Sequence, residues 1–160
     1  MKKIIFLFII SISLFSACER DDICIDEITP HLIIRFYDKV ETDDTKSVSK
    51  LLVSVTNSLN EVIETSAVKT TDSIVIPLNV DMEFTKIKLV KNADIAANAI
   101  TDEFTINYTT EAVFVSRSCG YKTDYNDINL SDITTNWLQN IVINSAHINN
   151  EANAHLSIFH

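Results

Sequence analysis

The chain has 160 residues, of which 13 are Lys or Arg and 22 are Asp or Glu, so its formal net charge is −9 at pH 7. Without residues 1–17, which include Lys2 and Lys3, it has 11 basic and 22 acidic residues and a charge of −11. This acidity argues against nucleic acid as a partner. The single glycine, Gly120, excludes phosphate-binding loops, dinucleotide-binding motifs and the Gly-x-Ser-x-Gly nucleophile motif.

The N-terminus has the three-part layout of a secretory signal peptide. Two lysines are followed by an apolar run over residues 4–15 and by two small residues that end at Ala17. The run is shorter than the about 20 apolar residues of a spanning helix, and no second such run follows. We expect residues 1–17 to be a cleaved signal peptide.

The segment 14–18, Leu-Phe-Ser-Ala-Cys, resembles the lipobox of bacterial lipoproteins, in which the cysteine is acylated and becomes the first residue. It departs from the usual pattern at Phe15, where an aliphatic residue is normal. We expect a lipid on Cys18 that anchors the chain in the cell outer membrane. The alternative is an ordinary secreted protein that is cut near Ala17 and keeps a free thiol.

A charged run, residues 19–22, follows directly and reads Glu-Arg-Asp-Asp. It resembles the signal that takes lipoproteins of the Bacteroidota across the outer membrane to the cell surface. The alternative is a solvated linker, as charge clusters usually are, with the protein on the periplasmic face. Both orientations stay open at this point.

Cys24 and Cys119 are the two cysteines that remain if Cys18 is acylated. In an exported, oxidising setting we predict a disulfide between them, provided that their α-carbons approach within about 7 Å. Closing this loop would stabilise the fold by roughly 4–5 kcal/mol. Residues 18–29 would form a tether, with about five residues, or at most roughly 18 Å, before the bridge.

From residue 30 onward, apolar residues recur with period two in short runs rich in Ile, Val, Thr, Phe and Tyr, which predicts β-strands. Pro77 lies inside one run and predicts an edge strand or a bulge. Residues 93–99 and 131–138 could form short helical turns. We predict an all-β fold over residues 30–160, a single antiparallel β-sandwich, immunoglobulin-like or related, of about seven or eight strands. The predicted strands are 31–38, 50–57, 73–80, 85–91, and short segments around 104–108, 113–115, 141–143 and 156–158.

Oxygen-bearing side chains crowd residues 124–132, which we interpret as a turn-rich solvated loop. The alternative is a calcium site formed by Asp127, Asn129, Ser131 and Asp132, although the EF-hand glycine and glutamate are missing. The histidines lack the spacing of a zinc site, so no metal and no cofactor are expected.

Three aromatic residues near this segment, Tyr121, Tyr125 and Trp137, could contact a sugar or a peptide. Amphipathic aromatic side chains serve binding surfaces well, but they pack equally well in a core or at its rim. The carboxylates are numerous but show no ordered pairing, and no catalytic residues are predicted.

The segments 18–24, 32–38 and 76–79, together with Cys119 and Gly120, resemble a small uncharacterised lipoprotein family of the Bacteroidota, flavobacteria especially, classed as a domain of unknown function. The resemblance covers nearly the whole chain. It implies a lipid anchor at Cys18 and a paired role for Cys24 and Cys119. It implies no activity, because none is assigned to that family.

The sequence therefore favours a non-enzymatic, lipid-anchored module of the cell envelope that contacts another protein or a surface polymer. A second hypothesis is a ligand-capture lipoprotein that binds a glycan or a peptide. A third is a hydrolase with an unusual site, which the absent motifs disfavour.

Overall fold

The computed structural model of the chain describes residue 24, residues 29–56 and residues 62–160. The predicted signal peptide, Cys18 and most of the predicted tether lie outside the described residues. Within them the chain forms ten strands and one short 3-10 helix, so the predicted all-β class is confirmed. The strands are β1 (Leu32–Tyr37), β2 (Val48–Thr56), β3 (Val62–Thr65), β4 (Lys69–Thr71), β5 (Ser73–Ile76), β6 (Phe84–Lys91), β7 (Ile100–Ser116), β8 (Gly120–Ser131), β9 (Asn140–Ile143) and β10 (Leu156–Phe159).

The strands form two sheets that pack as a β-sandwich. The smaller sheet has the order β5-β1-β10-β9, and the larger has the order β3-β2-β6-β7-β8, with β4 also paired to β2. The pairs are antiparallel except that β1 and β10 run parallel, with Ile34 opposite Leu156 and Phe36 opposite Ile158. The predicted antiparallel β-sandwich is therefore confirmed. Its one parallel pair joins the beginning of the domain to its last strand.

The core lies between the sheets and follows from the period-two pattern. Successive side chains of a strand point to opposite faces, so alternate apolar residues meet across the gap. Each fully buried Leu, Ile or Phe contributes roughly 1.5–3 kcal/mol relative to an exposed one. The side chains with no exposed surface include Leu32, Ile34, Phe36, Ile87, Leu89, Phe104, Ile106, Leu156 and Ile158.

The largest departure from the sequence prediction concerns residues 100–131. The predicted short strands around 104–108 and 113–115 are one 17-residue strand, β7. The predicted loop over residues 124–132 is wrong, because all but its last residue belongs to β8. Asp127 has a φ of 56° at an irregularity in this ladder, so β8 bulges there and its side chains change face.

Pro77 ends β5 at Ile76, and β5 is an edge strand of the smaller sheet, as the proline predicted. The predicted helical turn at 93–99 is reduced to a 3-10 helix at Ala96–Asn98. Across residues 29–56 and 62–160, no helix is both long and apolar enough to span a bilayer.

The predicted helical turn at 131–138 is not formed, because Asp102 organises this segment instead. Its fully buried carboxylate accepts hydrogen bonds from the Thr134 hydroxyl at 2.8 Å and from the main-chain N–H groups of Asn136 at 2.7 Å, Trp137 at 2.7 Å and Leu138 at 2.8 Å. Burial raises the pKa of this carboxyl, but the hydrogen bonds outweigh burial and leave the pKa below its usual value.

Candidate functional site

The disulfide between Cys24 and Cys119 ties the N-terminal segment to the turn between β7 and β8. The two α-carbons are 4.9 Å apart and the residues are separated by 95 positions, so the predicted pairing is confirmed. Arg117, Ser118 and Cys119 form the turn, and Gly120 follows with a φ of 72°. This left-handed conformation favours glycine and is typical of a three-residue hairpin turn.

A second attachment lies five residues further along the chain. The main-chain N–H of Thr123 in β8 donates to the Thr29 hydroxyl at 2.9 Å. Pro30 is buried, and β1 begins two residues later. The β7–β8 hairpin is therefore bonded to Cys24 through its turn and to Thr29 through β8.

The β7–β8 hairpin extends past the rest of the larger sheet. β6 pairs with β7 between Ile100 and Asn107, whereas β8 pairs with β7 as far as Ser116. Among the side chains near the hairpin tip, Phe114 and Tyr121 lie directly opposite each other and are 56% and 71% exposed. Their ring centroids are 5.4 Å apart in an edge-to-face arrangement.

Two buried tyrosines fix the base of this hairpin. The Tyr108 hydroxyl donates to the carbonyl of Asn79 at 2.8 Å and lies 2.6 Å from the Thr85 hydroxyl. The Tyr125 hydroxyl donates to the carbonyl of Leu78 at 3.3 Å, and the two tyrosine rings meet edge to face at 5.0 Å. Burial, and then the neighbouring Tyr108, raise the pKa of Tyr125 to about 12. These bonds join the hairpin to the connection between β5 and β6.

His155 lies at the same end of the sandwich and is buried. Its Nδ1 accepts a hydrogen bond from the N–H of Ile33 at 3.0 Å, so Nε2 carries the proton and donates to the carbonyl of Asn150 at 2.9 Å. Burial lowers the pKa of this imidazole. The ring therefore acts as a neutral link between β1 and the connection before β10.

The three aromatic candidates from the sequence have different positions. Tyr125 is fully buried and Trp137 is 6% exposed, and both belong to the core. A ligand could reach either ring only if the core opened. Tyr121 presents its ring to solvent, and ligand binding through Tyr121 stays a prediction.

The four calcium candidates occupy the end of β8 and the residue after it, and their oxygens bond within the protein. Asp127 accepts from the Thr109 hydroxyl at 3.1 Å, and Asn107 donates both to Asn129 at 3.1 Å and to Ser131 at 3.0 Å. The Ser131 hydroxyl donates to Asp132 at 3.3 Å. Calcium binding by these residues stays a prediction. In the described part of the chain, no three His, Cys, Asp or Glu side chains come together as a metal site.

The described residues enclose a small apolar cavity between the sheets and form a shallow depression at one end of the larger sheet. A cavity of about 60 Å³ lies between β2 and β5 and is lined mainly by apolar side chains such as Val53 and Ile74. It is far smaller than the roughly 300–1,000 Å³ of a typical ligand pocket. A shallow depression of about 620 Å³ lies at the end of the larger sheet away from the hairpin tip, beside Lys50, Ile95 and Ile100.

Two residues that matter at this site, Phe114 and Asp102, were not predicted from the sequence. Phe114 continues the alternation of Phe104, Ile106 and Tyr108 along β7. Because alternate residues of a strand share one face, this alternation could have placed Phe114 on the same face as those three residues. The sequence analysis instead assigned a short strand to Val113 and Val115, whose side chains lie on the opposite face of β7. Asp102 leaves no local signal, because its partners lie more than thirty residues further on.

The fold and this site define a class of protein: a β-sandwich whose N-terminal segment is held to a projecting hairpin by a disulfide. Residues 51–160 match a family of unknown function, DUF6452, and the chain belongs to that family. The match begins in β2, so Cys18 and Cys24 precede it. No curated protein and no solved structure matches the chain.

Proposed function

We propose that this chain is a lipid-anchored lipoprotein of the cell envelope, of the kind that the Bacteroidota export, and that Cys18 carries the lipid. The observation that carries this proposal is the Cys24–Cys119 disulfide. Structural disulfides are typical of exported proteins and rare in cytosolic ones. The pairing uses two of the three cysteines and leaves Cys18, next to the small residues of the signal-like segment, for acylation.

We further propose a non-enzymatic role in which the sandwich contacts another protein or a surface polymer. The lipid and the disulfide restrain the hairpin end near the membrane. β7 has 17 residues, so its far end lies roughly 50 Å from the tip. The depression beside Ile95 and Ile100 is at that far end and could be approached without hindrance from the membrane.

Metabolic labelling with an alkyne fatty acid and cell fractionation test the anchor. The wild-type protein should be labelled and sediment with membranes, whereas Cys18→Ala should be unlabelled and soluble. Cys24→Ala is the matched control, because it removes a cysteine six residues away and should leave the label in place. An unlabelled wild type, or a Cys18→Ala variant that still carries the label, would contradict the proposal.

Antibody binding to intact cells tests the orientation. We propose outer-membrane anchoring with display on the cell surface, with the periplasmic face as the alternative. Replacing Glu19, Asp21 and Asp22 with Ala should remove the protein from the surface while membrane sedimentation persists. Equal antibody binding by the variant and the wild type would show that this acidic run does not direct display.

The exposed ring of Tyr121 supports a second candidate, the capture of a glycan or a peptide. A saccharide or peptide array probed with the wild type and with Tyr121→Ala tests it. Specific binding that disappears in the variant would support ligand capture. Binding that is absent in both proteins, or equal in both, would count against it.

A further inference from the structure

The aromatic pair near the hairpin tip lies on the strand face that forms the core elsewhere. Residues at even positions of β7 point inward, as Phe104 and Ile106 do, and Phe114 continues this series beyond the end of the β6 pairing. Phe114 and Tyr121 nevertheless remain largely exposed. The described part of the chain thus leaves an apolar face open at the tip.

The proposed tether keeps this face close to the lipid. The six steps from Cys18 to Cys24 span at most about 20 Å, and the disulfide adds 4.9 Å between α-carbons. Tyr121 follows Cys119 by two residues, or roughly 7 Å of strand. With Cys18 acylated, the turn at Cys119 stays within roughly 25 Å of the anchor and Tyr121 within roughly 32 Å. Exposed Ile95 lies beside the far end of β7.

The hairpin has no net charge, whereas the rest of the chain is acidic. Residues 109–126 contain the acids Glu111 and Asp124 and the bases Arg117 and Lys122, so their net charge is zero. The −11 of the chain from Cys18 onward is therefore carried elsewhere. A neutral segment can approach anionic lipid headgroups without the repulsion that the acidic surfaces would meet.

We propose that Phe114 and Tyr121 insert into the headgroup region of the bilayer that holds the lipid anchor. Aromatic side chains with a polar tip favour this region, and apolar faces of peripheral proteins enter it by about 5–10 Å. The hairpin then forms a second membrane contact beside the acyl chains and orients the sandwich on the membrane. This inference rests on the proposed acylation of Cys18.

Tryptophan quenching by brominated lipids tests the contact. Mature, acylated Phe114→Trp is reconstituted in vesicles of phosphatidylethanolamine and phosphatidylglycerol, with and without brominated acyl chains. Ile95→Trp is the matched control, because Ile95 is 54% exposed and Phe114 is 56% exposed. The buried Trp137 is present in every variant, and its signal is removed by subtracting the wild-type spectrum.

We expect the Phe114→Trp signal to shift to shorter wavelength and to lose intensity in brominated vesicles, while Ile95→Trp does neither. Tyr121→Trp should behave as Phe114→Trp does, and it replaces that variant if Phe114→Trp fails to fold. Equal quenching at the hairpin and at Ile95 overturns the inference. A shift of the hairpin tryptophan emission to shorter wavelength without bromine quenching would indicate a protein partner or a second copy of the chain. That result also overturns the inference of membrane insertion.

The mass of the purified protein separates the two proposals. If Cys18 carries an acyl mass and the hairpin tryptophans are unquenched, the anchor stands and the membrane contact of the hairpin is wrong. If Cys18 carries no acyl mass, the proposed anchor itself is wrong, whatever the fluorescence shows.

Discussion

Replacing Asp102 with Asn should destabilise the sandwich by about 3–5 kcal/mol. The carboxylate oxygens of Asp102 each accept two hydrogen bonds, Oδ1 from Thr134 and Asn136 and Oδ2 from Trp137 and Leu138. An amide has one accepting oxygen, so two of the four donors lose their acceptor whichever way it is placed. The Asn oxygen can keep the two buried N–H groups of Trp137 and Leu138. The part-buried Thr134 hydroxyl and Asn136 N–H are then unpaired at roughly 1–3 kcal/mol each, and the loss of charge weakens the remaining bonds.

Urea unfolding followed by circular dichroism measures this loss. With a slope of about 2 kcal/mol per molar urea, the midpoint of Asp102→Asn should fall by roughly 2 M. Asp43→Asn is the matched control, because Asp43 is exposed, and its midpoint should change by less than about 0.3 M. Equal midpoints for the two variants would refute the role we give to the buried carboxylate.

The pH dependence of the unfolding free energy of the wild type and of Asp102→Asn gives a second readout. The folded pKa of Asp102 is lowered, so its contribution is complete above the unfolded value of about 4 and is lost as the pH falls through the folded pKa. The difference in unfolding free energy between the wild type and Asp102→Asn should therefore narrow below about pH 4. A difference that stays constant there would contradict this assignment.

The disulfide, Tyr108 and His155 each contribute to stability in a way that can be measured separately. Cys24→Ser with Cys119→Ser should lower the unfolding free energy by about 4–5 kcal/mol, because a bridge across 95 positions restricts the unfolded chain; an unchanged urea midpoint would contradict this. Tyr108→Phe should cost about 1–3 kcal/mol because it removes the bonds of the Tyr108 hydroxyl to the buried Thr85 hydroxyl and to the part-buried Asn79 carbonyl. The exposed Tyr121→Phe should cost less than about 0.5 kcal/mol, and equal losses in urea would refute this role of Tyr108. His155 has a lowered folded pKa, so the unfolded chain binds its proton first and stability should fall as the pH drops below about 6.5; thermal unfolding between pH 7.5 and 5.5 should show a smaller fall in His155→Gln.

The sequence predicted the fold class because the strands of the core keep an unbroken alternation. β1 alternates buried Leu32, Ile34 and Phe36 with more exposed residues, and β6 does the same with Ile87 and Leu89. Burial on one face and solvent on the other is sufficient to produce this pattern. The all-β fold class could therefore be predicted without knowing which strands pair.

β8 escaped prediction because its sequence is polar and its alternation is interrupted. Its inward residues Tyr125 and Ile128 are three positions apart, because Asp127 forms the bulge between them. A bulge reverses the phase of a strand, so a search for period two reads such a segment as a loop. Its polar side chains then look like ligands, although most of them bond across the ladder to β7.

The cystine could be predicted because the proposed lipid on Cys18 leaves one pair among the three cysteines. The place where that pair lies could not. Only the three-dimensional structure puts Cys119 in the turn of the hairpin, Thr29 beside Thr123, and the exposed ring of Phe114 against that of Tyr121. These are contacts between segments that are far apart in sequence, which local patterns do not encode.

Intact and peptide mass spectrometry of the protein extracted from membranes tests the central claim most directly. The account predicts a mature chain that begins at Cys18, lacks residues 1–17 and carries acyl groups on that cysteine, with Cys24 linked to Cys119 in the same molecule. An N-terminal peptide that retains the signal segment, or one that contains Cys18 without an acyl mass, would contradict the account.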